Sequence, residues 1–144
     1  MSRVAVIGGG PAGIMAAAAA AGCGHDSVLL EKNEKLGKKL FLTGKGRCNI
    51  TNSCDTDDFF ANIPRNPKFL YSALYGFSNT DIVELINANG VPTKVERGKR
   101  VFPASDKSSD VIKALARHLN SSGAELRLNT EVSGIRRAGS GFEL

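Results

Sequence analysis

The chain has 144 residues, enough for one domain with a buried core, and its 42% hydrophobic and 23% charged residues are the balance of a folded globular protein rather than a disordered one. Its formal charge of +5 suits nucleic acid, an anionic surface or a phosphorylated ligand and selects none of them. No apolar run approaches the roughly 18 residues of a membrane span, and Met1-Ser2-Arg3 leads into a short apolar segment without a signal-peptide core, so a cytoplasmic protein with no membrane partner is expected.

Arg3 to Ile7 predicts a continuous apolar strand, Gly8 to Gly13 a turn, and Pro11 to Ala21 a helix. Pro11 suits a first helical turn, and alanines 16 to 21 are small enough for the helix to lie close against a sheet. Gly22 is expected to end it. Ser27 to Leu30 predicts a second strand that closes at Glu31, so residues 4 to 31 read as a right-handed parallel βαβ unit. Lys32 to Lys39 is lysine-rich and alternates with Glu31 and Glu34, the pattern of a solvated face.

Thr43 to Asn52 reads as an ordered loop, rich in glycine and in side chains that bond backbone groups. Asp55 to Pro67 shows weak periodicity. Lys68 to Phe77 predicts a short helix with Phe69, Leu70, Leu74 and Phe77 inward. Ser78 with Asp81 marks the start of another helix, with Ile82, Val83, Leu85 and Ile86 on one face and Gly90 as its stop. Thr93 to Glu96 and Arg100 to Phe102 flank Arg97-Gly98-Lys99 as a hairpin. A helix from about Lys107 to Ser121 follows, capped by Ser105 or Asp106, with Val111, Ile112, Leu115 and Leu119 buried and Gly123 at its end. Glu125 to Leu128 predicts a third strand, and Glu131 to Arg137 pairs with Phe142 to Leu144 across Gly139-Ser140-Gly141. The chain stops inside that second arm, so a fragment, the N-terminal part of a domain incomplete at its C-terminus and without a second complete domain, is expected. The fold class is α/β: a Rossmann-like domain with a parallel sheet and a small β-hairpin addition.

The glycine turn carries the chemistry. A pyrophosphate needs several backbone N–H donors and little bulk around it, and a glycine turn feeding a helix N-terminus supplies both. Gly8 would allow the tight turn, Gly10 would let a diphosphate approach, and Gly13 would let the helix pack on the strand. The turn follows a strand, opens a helix, and leads to Glu31, 23 residues beyond Gly8, where an acid about 20 residues on is the dinucleotide signature. Glu31 can accept from ribose hydroxyls, and its charge disfavours a 2′-phosphate. Without that ligand, the glycines would serve packing only and Glu31 would be an exposed strand-end carboxylate.

Val4 to Ala17 (VAVIGGGPAGIMAA), Glu31-Lys32 with Leu36-Gly37-Lys38-Lys39, Thr43 to Asn52 (TGKGRCNITN), and Gly98 to Pro103 (GKRVFP) with Ser105-Asp106-Lys107 together carry a resemblance across nearly the whole chain. The chain resembles the BaiN-like NAD(P)/FAD-dependent oxidoreductases, bacterial flavoproteins with a glutathione-reductase-type FAD domain. The resemblance implies FAD at the glycine turn, with Gly8, Gly10, Pro11, Ala12, Gly13, Glu31, Lys32 and Lys39 on the ADP side. It implies Gly46, Arg47, Cys48, Asn49 and Asn52 on the flavin side, and main-chain reading of the adenine at Val132. A small-molecule substrate, and NAD(P)H as reductant of the full-length protein, are implied with it. Independently of the family, Lys45 and Arg47 would bring positive charge to a dinucleotide, and Gly44 and Gly46 would permit close approach. An ordered turn whose asparagines cap their own backbone is the plainer reading of the same residues.

Cys48 and Cys54, with five residues between them, do not match the spacing of the redox pair in flavin disulfide reductases, so Cys23, Cys48 and Cys54 are expected as reduced structural or incidental thiols. His25 and His118 have no neighbours at catalytic or metal spacing. The catalytic residues are unassigned. The leading expectation is the ADP-holding portion of an FAD-dependent oxidoreductase, which alone binds flavin weakly and turns nothing over. The alternatives are a non-catalytic dinucleotide module and, ranked below it, an FAD-dependent RNA-modifying protein. The last is set low, and nucleic acid is not expected, because the basic residues lack interleaved aromatics and no RNA-binding motif is present.

Overall fold

The computed structural model describes residues 2–144, apart from the side chains of Thr43 and Gly44, so the close approach expected at Gly44 lies outside the described residues. In chain order the elements are β1 (Arg3–Ile7), α1 (Pro11–Gly22), β2 (Asp26–Leu30), α2 (Lys38–Leu42), a 3-10 turn (Thr43–Gly46), β3 (Thr51–Asn52), α3 (Thr56–Ala61), a second 3-10 turn (Pro67–Leu70), α4 (Tyr71–Gly76), α5 (Asn79–Ala88), β4 (Thr93–Glu96), β5 (Arg100–Pro103), α6 (Ser108–Ser122), β6 (Glu125–Arg127), β7 (Arg136–Ala138) and β8 (Gly141–Glu143). They form two compact units, one of residues up to Leu40 with Leu115–Leu144, the other Phe41–Ala114.

In the first unit β1, β2 and β6 make a parallel sheet with β2 in the middle. The central position explains why β2 is buried from Ser27 to Leu30 while β1 alternates, leaving Ile7 exposed despite its apolar sequence. Helix α1 buries Ile14, Ala17 and Ala18. The small side chains let the Ser27 hydroxyl donate to the Ala17 carbonyl at 3.0 Å, which ties helix to strand. The helix ends a little later than Gly22 suggests: Cys23 caps it, and the left-handed turn falls on Gly24 (φ +81°), whose N–H returns to the Ala21 carbonyl. After α6, Gly123 (φ +81°) turns the chain into β6 as expected. The terminal hairpin is present as β7 and β8, but its first arm pairs only from Arg136, which lies opposite Glu143, while Thr130, ahead of that arm, donates its N–H to the Glu31 carbonyl at 2.9 Å.

In the second unit β3, β5 and β4 form an antiparallel sheet in that order, and the β4–β5 hairpin matches the sequence expectation. Helix α5 begins at a capping box in which the Ser78 and Asp81 side chains each take the other's backbone N–H. Elsewhere the unit contains elements that local sequence signals do not show. The stretch at Thr43 to Asn52 contains a 3-10 turn and strand β3, whose partner β5 lies about 50 residues on. Asp55, accepting from the Asp58 N–H at 2.9 Å, starts the short helix α3. The expected Lys68–Phe77 helix is a 3-10 turn followed by α4, and its predicted inner face is wrong: Phe69 is 85% exposed and Leu70 and Phe77 are exposed too, with only Leu74 half-buried. Phe60 is the buried ring there, packed edge-on against Tyr71 at 4.4 Å. In α6, Val111, Leu115 and Leu119 are buried as predicted and Ile112 is half-buried.

Candidate dinucleotide site

The glycine turn is built by hydrogen bonds and by space. Gly8 (φ +105°) donates its N–H to the Leu30 carbonyl at 2.8 Å, continuing the β1–β2 ladder into the turn. A Cβ on Gly13 would sit 1.9 Å from the Gly8 carbonyl oxygen, so the helix lies on the turn at a distance only glycine permits. Gly10 is the helix N-cap, without a side-chain cap and without an acidic residue in the first turn, and a Cβ there would meet nothing within 4 Å. Pro11 and Ala12 are exposed beside it. The turn therefore offers open space at the positive end of a helix.

Gly9 was not singled out by sequence, yet it is the most enclosed of the three consecutive glycines. A Cβ on it would lie 2.6 Å from Leu36 Cδ2 and 2.9 Å from Glu31 Oε2. Its N–H donates to Glu31 Oε2 at 2.6 Å and its carbonyl accepts from the Gly37 N–H at 2.9 Å. The three-glycine run was the available signal. Asn33 was missed as well: its backbone N–H and side-chain amide both donate to Glu31 Oε1, at 2.8 and 2.5 Å. Glu31 is thus a buried carboxylate, 8% exposed. Burial pushes its pKa up, but the N–H groups of Asn33 and Gly9 outweigh that and hold it below the ordinary carboxylate value.

Lys32 is exposed, 3.8 Å from Glu131, and Lys39 is exposed on α2. Val132 borders a cavity of about 530 Å³ whose wall includes Ala5, Val28 and Leu30 of the parallel sheet.

The second motif lies in the second unit. Lys45 (φ +55°), Gly46 (φ +85°) and Cys48 (φ +61°) all take left-handed backbone. A Cβ on Gly46 would meet nothing within 4 Å, Asn49 is exposed, and Cys48 is buried. Arg47 is committed elsewhere. Its Nη2 donates to Glu96 Oε1 at 2.5 Å and to Asp106 Oδ1 at 2.6 Å, its Nε donates to Asp106 at 2.9 Å, and its guanidinium lies 4.4 Å from the Phe102 ring centroid. Lys94 joins the cluster, 2.7 Å from Asp106 Oδ2. Asp106, expected as a possible helix cap, is spent on these two cations; Lys94 and then Arg47 hold its carboxyl below the usual range, and Arg47 does the same for Glu96. Asn52 is also turned inward. Its amide donates to the Gly98 carbonyl at 2.8 Å and accepts from the Cys54 N–H at 2.9 Å, while the buried Asn79 amide bonds the Asn52 and Cys54 carbonyls. None of Cys23, Cys48 and Cys54 is in a disulfide. No helix among the described residues is long and apolar enough to cross a membrane.

Residues 2–144 match the family described as HI0933-like protein Rossmann domain. The chain belongs to that family. The HI0933-like domain is accordingly an FAD-binding domain of the Rossmann type, from a family of oxidoreductases. It is 33% identical over 144 residues to the 3-dehydro-bile acid delta(4,6)-reductase of Clostridium scindens, covering 99% of this chain and 34% of that protein. It is 30% identical over 139 residues to the ribosomal RNA dihydrouridine synthase of Escherichia coli, covering 96% of this chain and 34% of that one. The chain thus spans about a third of the length of these curated relatives. Among solved structures, Thermovibrio ammonificans THI4 superimposes with a TM-score of 0.61 at 12% identity, over 97% of this chain and 44% of that one, a likeness of fold.

Proposed function

We propose that this HI0933-like domain holds the ADP half of FAD in a flavin-dependent oxidoreductase whose remaining chain completes the site and supplies the substrate side. The observation that carries the reading is the open space at Gly10, set at an uncapped helix N-terminus between a pinned Gly9 and a sterically locked Gly13. The diphosphate would lie there, over the first N–H groups of α1. Glu31 accepts three hydrogen bonds of the roughly four that a carboxylate can take, which leaves an acceptor position for a ribose hydroxyl. Lys32, Lys39 and the main chain at Val132 are assigned to the ADP half on the family resemblance, and Gly46, Cys48 and Asn49 to the flavin side. When bound, the flavin supplies the electron transfer, with NAD(P)H as its reductant, and the protein supplies binding and orientation.

Gly10→Ala tests this. In the full-length protein the stability cost should stay below about 1 kcal/mol, since the new methyl meets no protein atom, while FAD affinity falls by at least about tenfold. Stoichiometric flavin retention by that variant would overturn the placement. Residues 1–144 alone should bind FAD weakly in isothermal titration, and tight binding would show that the ADP half suffices.

The two relatives indicate a reaction class. Saturating a 3-oxo-4,6-diene and forming dihydrouridine both add hydrogen across a carbon–carbon double bond conjugated to a carbonyl, and we propose that chemistry for the full-length protein, with this domain holding the flavin. The substrate is open to two readings. A small molecule fits the resemblance. RNA is favoured by the E. coli relative and by a surface the sequence did not reveal: Phe69 and Tyr75, 85% and 71% exposed, stand in a segment with exposed Arg65 and Lys68 and no acidic residue from Phe59 to Thr80. Salt-sensitive RNA binding by the full-length protein, lost on Phe69→Ala with Tyr75→Ala, selects the second reading; its absence selects the first.

A further inference from the structure

The TGKGRCNITN segment holds two cations, Lys45 and Arg47, and the structure spends the charge of the second on carboxylates. Arg47 and Lys94 face Glu96 and Asp106, two positive charges against two negative, within 2.5–3.5 Å of one another. The guanidinium is closed from one side by the Phe102 ring. Lys45 and Cys48 are non-glycine residues in the left-handed region, a conformation that persists only where surrounding structure imposes it. The same loop is open at Gly46 and exposed at Asn49.

We propose that Arg47 is a positioning residue: clamped by Glu96 and Asp106, it holds the Lys45–Asn49 main chain in its left-handed course, so that the bound cofactor meets backbone at Gly46 and Asn49 rather than the guanidinium. This rests on the FAD reading above. The GKGRC and GKRVFP-ASDK strings then belong together because one supplies the loop and the other Asp106 and Phe102 of the clamp, with Glu96 two residues before it. A lysine at position 47 is a poor substitute, since a single ammonium cannot fork to two carboxylates and stack on a ring at once.

The test compares the full-length wild type with Arg47→Ala, Arg47→Lys and Asp106→Asn, the last chosen because asparagine tolerates the left-handed backbone at that position (φ +57°). Flavin absorbance and FAD affinity are read alongside amide hydrogen exchange over residues 45–49. In Arg47→Ala, exchange across the loop should rise at least about tenfold with little change in β1, α1 and β2, and FAD affinity should fall about tenfold, with a shifted flavin band. Arg47→Lys should recover part of both. Asp106→Asn discriminates by sign: loosening the clamp should weaken FAD as Arg47→Ala does, whereas an arginine that touches the cofactor directly would be released toward it and bind as well or better. Unchanged exchange in Arg47→Ala, or a loosened loop with unaltered flavin affinity and spectrum, overturns the proposal. A wild type purified without flavin bands sinks the FAD reading itself, and is seen before any substitution is made.

Discussion

The two motifs reach the same end, an accessible stretch of main chain, by opposite means. At the glycine turn the side chains are absent: Gly13 has no room for a methyl, Gly9 is sealed by Leu36 and Glu31, and Gly10 opens outward. In the TGKGRCNITN segment the side chains are present but turned inward, Arg47 to two carboxylates and Asn52 to the Gly98 carbonyl and the Cys54 N–H. One loop is shaped by what its residues lack, the other by what they hold. The first should therefore fail when an atom is added, and the second when a bond is removed.

The largest effect expected is at Gly13. Gly13→Ala places a methyl against a backbone oxygen that cannot move without breaking the β1–α1 turn, so denaturant unfolding should show a loss of about 3 kcal/mol or more. A loss under about 1 kcal/mol would mean that the helix slides freely and that the turn is not sterically set. Glu31→Ala, the exception in the first loop because it removes bonds, should cost about 1–3 kcal/mol by stranding the Gly9 N–H. In the second loop, Asn79→Ala leaves the Asn52 and Cys54 carbonyls without their buried partner and should cost about the same or somewhat less, read in the same unfolding experiment.

Acid sharpens the contrast. The folded pKa of Glu31 lies below its unfolded value of about 4.3, so its contribution to stability is complete above that pH and is lost as pH falls through the folded value. Glu96 and Asp106 behave in the same direction. Unfolding followed from pH 6 to pH 3 should show stability falling with acid, with a shallower slope in Glu31→Gln. An equal slope would remove Glu31 from the latch. Smallest of all, Lys99→Ala breaks only an exposed pair with Asp58 at 3.3 Å and should change stability by less than about 1 kcal/mol.

Much of the first region was legible in the chain because its signals are local. β1 begins and ends where the apolar run does, Pro11 opens α1, and the spacing to Glu31 follows from the length of one helix and one strand. Gly9 and Asn33 escaped because their roles depend on where Glu31 points after β2 has paired. The second region was read less well. Its strand β3 is two residues long and exists only through β5, α3 is six residues held by one aspartate, and the faces of α4 were misassigned because Phe60, outside that segment, is the ring that occupies the core.

By itself, then, the sequence determined the βαβ unit, the glycines that must be glycines and the acid at the end of β2, since helix periodicity and backbone freedom act over a few residues. Only the tertiary structure decided what Arg47 and Asn52 do. Asn52 has one local partner, the Cys54 N–H, as an asparagine capping its own turn would, but its other partner and those of Arg47 lie 46 to 59 residues away, and a cation drawn onto two carboxylates is indistinguishable in sequence from one waiting for a phosphate.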